Sequence, residues 1–191
     1  PILADSANND FNFVDMNKID DLETFFKVLI KDQDSVGAKI LVRINGLMPG
    51  VGSPVFSKLD AELAKAMMGV NAVKAVEIGA GANVVSMKGS GNRDLMVKAG
   101  FLSNNSGGIL GGISNGEDID IYVSLKPTSS ISQKTTTVNK DNEEVDLQVK
   151  GRHDPCVGLR AAPILEAMAA LCILDQVLLD KGQCFNVDRD S

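Results

Sequence analysis

The feature that most limits what this chain can fold into is its last apolar stretch, "RAAPILEAMAALCILDQVLLDKG" at 160–182. Its spacing predicts a helix that is apolar on nearly every face, and such a helix must lie between other elements or in an oligomer contact. Pro163 is tolerable only in the first turn, because proline lacks the N–H that an interior turn requires. Gly182 is placed as its C-terminal cap. Glu166 interrupts the apolar run, so no membrane-spanning segment is assigned, and no signal peptide is read.

Upstream, "KIDDLETFFKVLIKD" sets Ile19, Leu22, Phe26 and Leu29 on one helical stripe. "AKILVRING" (38–46) alternates as a strand, and Ser53-Pro54 predicts a helix start, with Phe56, Leu59, Leu63 and Met67 on one face. "VNAVKAVEIG" (70–79) closes a β-α-β unit. A short β-like piece (83–88), a glycine-rich loop (103–116), the strand "DIDIYVSL" and a polar, mobile stretch at 131–142 come next. "EEVDLQV" returns as a strand. Strands and helices in this order predict an α+β layered fold, with an irregular lead-in at 1–16, one domain over 17–182 and a tail at 183–191.

Composition excludes some functions. With 44% hydrophobic and 23% charged residues the chain suits a globular domain, and with 4% aromatics its core is aliphatic. A net charge of −6 without a basic run argues against nucleic acid. Cys156, Cys172 and Cys184 form no CxxC pair, which points away from zinc or disulfides and toward a reducing cytoplasm. Asp118 and Asp120 share a strand face without further ligands, so no metal is assigned.

Three segments could carry chemistry. "SNNSGGILGGISNG" is either a flexible loop or a place where something approaches the main chain closely; buried-type Ile109, Leu110 and Ile113 count against a solvated linker. "KPTSS" (126–130) is either a proline turn or an anion nest of hydroxyls and amides beside Lys126. In "GRHDPC", Arg152 would hold Asp154 ionised, as a base or merely as a pair shaping the corner. His153 falls on the opposite face of a continuing strand and is taken as structural.

Taken together, "GSPVFSKLDAELAKAMMGVNAVKAVEIG", the glycine loop, "KPTSSI" and "KGRHDPCVGLRAAPILEAMAAL" closely resemble the chorismate synthase family, in order and spacing, over residues from about 17 to 180. The resemblance implies a β-α-β sandwich of antiparallel sheet and long buried helices, assembled as a homotetramer. It implies anti-1,4-elimination of phosphate from 5-enolpyruvylshikimate 3-phosphate to give chorismate with reduced FMN, and it leaves NADPH-dependent flavin reduction open. Carried onto matching positions, the cofactor would meet Asn71, Ala72, Gly111, Lys126, Pro127, Thr128, Ser129, Ser130 and Arg152, with Asp154 as the catalytic carboxylate. The family's chains are roughly twice as long, and their two active-site histidines have no counterpart here. The expectation is therefore a C-terminal fragment that is inactive alone, the alternative being an assembly module that keeps partial FMN-phosphate binding.

Overall fold

The computed structural model describes residues 9–151 and 153–184. The chain divides into two compact units, one from residues 1–38 and 125–162, the other from 39–124 and 163–191. The fold is α+β, and its sheets are antiparallel.

In the second unit β1 (Ala38–Ile44), β2 (Val73–Ile78) and β7 (Ile119–Leu125) form a sheet in the order β1-β7-β2. Arg43 pairs with Asp120 while Lys39 lies over the Tyr122 ring, so numbers rise on β1 as they fall on β7. Alternation decides the faces of β7: Ile119, Ile121, Val123 and Leu125 are buried, whereas Asp120, Tyr122 and Ser124 are only partly covered. Helix α2 (Leu59–Met68) packs on β2, and its Leu59, Leu63 and Met67 are wholly buried, each worth about 1.5–3 kcal/mol.

The expected helix start at Ser53-Pro54 is corrected. Ser53 and Ser57 exchange both backbone hydrogen bonds (3.0 and 2.9 Å), which closes a loop and leaves Phe56 exposed. The helix begins six residues after Ser53, and its first N–H, on Leu59, donates to the Gly112 carbonyl at 2.9 Å. The β-like piece at 83–88 is instead a 3-10 turn over Gly81–Ser86, started by the Ala82 N–H donating to Glu77 Oε1 at 3.1 Å. Beyond it come a one-turn helix, α3 (Gly89–Asn92), and two small hairpins. These are β3 (Met96–Val97) with β4 (Gly100–Phe101), and β5 (Ile109–Leu110) with β6 (Ile113–Ser114).

In the first unit α1 (Ile19–Lys31) half-buries Ile19, Leu22, Phe26 and Leu29, the stripe its spacing predicts, and Phe26 stacks on Phe11 at 5.4 Å. The stretch expected to be mobile contains a hairpin strand. β8 (Thr135–Val138) pairs with β9 (Glu144–Leu147), and Asn139 Oδ1 accepts the Asp141 and Glu143 amides to fix the turn.

The last helix, α4 (Gly158–Gln183), has two unlike faces. Ala161, Leu165, Ala169 and Gln176 are buried, while Ile164, Leu171, Leu174 and Leu178 are about half exposed or more. Glu166 does not shorten it: by length and composition alone it could cross a membrane. Pro163 lies in the second turn, not the first; it frees the Leu159 carbonyl, which accepts from Asn12 Nδ2 at 3.5 Å. Gly182 is not the cap, because the helix runs on to Gln183 and Cys184 still donates to Asp180 at 2.9 Å.

Candidate functional site

The sequence-predicted residues fall in both units. In the first, the strand β7 delivers the chain into Lys126–Ser130. Lys126 Nζ donates to Ser129 Oγ at 3.1 Å, which ties the two ends of the exposed loop together. Thr128 is fixed at both ends: its Oγ1 donates to the Asp154 carbonyl at 3.2 Å, and its own carbonyl accepts from Ser35 Oγ at 2.7 Å. The hydroxyl loop and the Asp154 segment, separate motifs in the sequence, are thus brought into direct contact.

The Asp154 carboxylate faces a cation, and that cation is Arg160: Nη2 lies 3.2 Å from Oδ1. From the first turn of α4, Arg160 reaches back over the Asp154-Pro155 corner. Arg152, the expected partner, lies outside the described residues. His153 adjoins the site, and its Nε2 is buried without a hydrogen-bond partner among the described residues. An orphaned buried nitrogen costs about 1–3 kcal/mol. Cys156 is buried, with Sγ 3.9 Å from the Gly37 carbonyl.

In the second unit Asn71 and Ala72 form the turn between α2 and β2, closed by the Val73 N–H donating to the Val70 carbonyl at 3.2 Å. Ala72 sits at φ +71. A left-handed conformation costs an alanine about 1–2 kcal/mol, so the surroundings must enforce it. Gly111 (φ +61) and Gly112 (φ +87) are the two central residues of the β5–β6 hairpin, as that tight turn requires. Nothing lies within 4 Å of a Cβ built on Gly111, so its main chain is open to an approaching group; over Gly112 lies the stem of Lys58.

The glycine loop is fastened at its base. Gly79 (φ +59) and Gly107 (φ +64) pack backbone to backbone, and a Cβ on Gly79 would fall 2.3 Å from the Asn105 carbonyl oxygen. Asp94 clamps the same loop, accepting from Ser103 Oγ at 2.6 Å and from the Asn105 and Ser106 amides at 2.7 and 2.8 Å. Burial alone would raise the Asp94 carboxyl, but these donors outweigh it and hold it down at about 2. A cleft of about 500 Å³ opens beside Gly79–Gly81, where Lys39 is ion-paired with Glu77 across the Tyr122 ring. The Lys39 pair and the Ala82 amide keep the Glu77 carboxyl below its usual range.

Asp120, considered with Asp118 as a lone carboxylate pair, instead takes a bidentate bond from Arg43 at 2.5 and 2.7 Å. Sequence reasoning missed Ser35, Gly37, Asp94 and Arg160. Only Arg160 falls inside a quoted motif, and each acquires its role through a contact with a residue several to many places away in the chain.

A family model described as chorismate synthase matches residues 2–178. The crystal structure of a chorismate synthase aligns with TM-score 0.76 at 25% sequence identity, covering 94% of this chain and 48% of that chain. The chain therefore spans about half the length of that protein.

Proposed function

Because the chain belongs to the chorismate synthase family, we propose that it carries the flavin-holding share of an enzyme that eliminates phosphate from 5-enolpyruvylshikimate 3-phosphate to give chorismate. The observation that carries this reading is the Thr128–Asp154 contact, which joins a hydroxyl-rich loop to the main chain of the residue that bears the candidate carboxylate. The residues present fit the cofactor. In the first unit Lys126 and the hydroxyls of Ser129 and Ser130 suit an anionic phosphate; in the second, taken by itself, the open main chain at Gly111 suits close approach by a flat ring. Asn71 and Ala72 present a turn held in a strained conformation, of the kind that gathers at ligand sites.

When bound, reduced FMN supplies the electron-rich ring that lets the reaction proceed without net redox change. Asp154 would take up a proton at a carboxylate oxygen, while Arg160 holds Oδ1 in place and Thr128 pins the main chain behind it. Arg152 and Pro127 complete the set.

The chain has one histidine and spans 48% of the related crystal structure's chain. We infer that, assayed alone, it forms no chorismate. A titration of FMN followed by flavin fluorescence tests the first part of the reading, and saturable quenching is the expected result. Asp154→Asn should bind FMN as the unaltered chain does. Chorismate formation by this chain at rates near those of a family-length enzyme would sink the second part.

A further inference from the structure

Helix α1 ends abruptly. The Asp34 N–H donates to the Leu29 carbonyl at 3.1 Å, and Gln33 takes a left-handed φ of +55, the geometry that terminates a helix and redirects the chain. The next three residues, Ser35-Val36-Gly37, touch both motifs of the first unit's site. Ser35 Oγ donates to the Thr128 carbonyl at 2.7 Å, and the Val36 N–H donates to the Pro155 carbonyl at 2.8 Å. Gly37 has no room for a side chain: a Cβ there would lie 2.5 Å from the Leu125 carbonyl oxygen and 3.4 Å from Pro127 Cδ. Just upstream, the Asp32 carbonyl accepts Gln133 Nε2 at 2.9 Å.

Resting on the reading of residues 126–130 as the cofactor loop, we propose that Ser35, Val36 and Gly37 form a positioning strap that fixes this loop relative to Asp154. The geometry is a three-cornered lock. Thr128 bonds the Asp154 carbonyl directly, and Ser35 with Val36 ties Thr128 to Pro155 by a second route. A loop whose hydroxyls must face a phosphate gains affinity when its conformation is set before the ligand arrives, because ordering it on binding costs free energy. None of the three strap residues needs to touch the cofactor.

The test is FMN titration into the whole chain and into Ser35→Ala, Ser35→Thr and Gly37→Ala. Each is read by fluorescence quenching, by the visible circular dichroism of bound flavin, and by thermal midpoint. Ser35→Ala should weaken FMN binding about fivefold, the equivalent of one hydrogen bond, with Ser35→Thr restoring it. Gly37→Ala should weaken binding more than tenfold and alter the dichroism band, since the Leu125 carbonyl at the entry to the loop must move; if it fails to fold, the Ser35 pair decides. Variants that bind as tightly as the unaltered chain with the same band would overturn the strap while leaving the cofactor reading intact. So would affinity losses that simply track the thermal midpoint without rescue by threonine. An unaltered chain that binds no FMN overturns the cofactor reading, and the strap's role falls with it.

Discussion

The hydroxyl loop at 126–130 and the glycine loop at 103–116 solve one problem, holding irregular backbone still, by opposite means. The first is held from outside, by Ser35 and by the main chain of Asp154, through side-chain oxygens that a substitution can remove singly. The second is held mostly by what it lacks. Gly79 and Gly107 meet where no Cβ fits, and Asp94 gathers the amides around the join. The first arrangement can therefore be tuned residue by residue, whereas the second tolerates almost no change at its base.

Substitution tests that difference. Gly79→Ala should have the largest effect, about 3 kcal/mol or more by urea unfolding, because the new methyl overlaps a backbone oxygen and φ is left-handed. A cost below about 1 kcal/mol would break the comparison. Asp94→Asn should cost about 1–2 kcal/mol at neutral pH, since at least one donor loses its anionic acceptor. The sign of its pH dependence comes from a folded carboxyl at about 2, below the unfolded value near 4. Its contribution is complete above about pH 4 and fades as the pH falls toward 2, so urea midpoints of the Asn variant should decline less over that interval. Gly111→Ala, where space is open but φ is +61, should cost only about 1 kcal/mol while weakening FMN. Ser129→Ala comes last, within about 0.5 kcal/mol of unaltered stability because its hydroxyl is exposed. A loss there exceeding that of Gly111→Ala would show that the hydroxyl loop is no more adaptable than the glycine loop.

Much of the fold was legible in the sequence because it is periodic. Period-two alternation set the faces of β7, and the 3.6 spacing of Leu59, Leu63 and Met67 set the buried side of α2. Local chemistry misled at Ser53-Pro54. A good cap and a good first-turn proline lost to a loop closed by two backbone bonds, and the helix took its cap from Gly112, far away in the chain. In the same way threonines and asparagines at 135–142 suggested mobility, yet they make a paired strand and a side-chain-fixed turn. For the candidate site, motif residues could be named in advance, but their holders could not. Ser35 is an ordinary serine until Thr128, 93 residues later, accepts its hydrogen.

The Asp94 clamp has a consequence in time as well as in energy. One carboxylate receives the amides of Asn105 and Ser106 together with the Ser103 hydroxyl, so none of these can be released without loosening the others. The segment should then open as one cooperative unit. In deuterated water the Asn105 and Ser106 amides should show the same protection factor, and protection should fall together at both positions in Asp94→Asn.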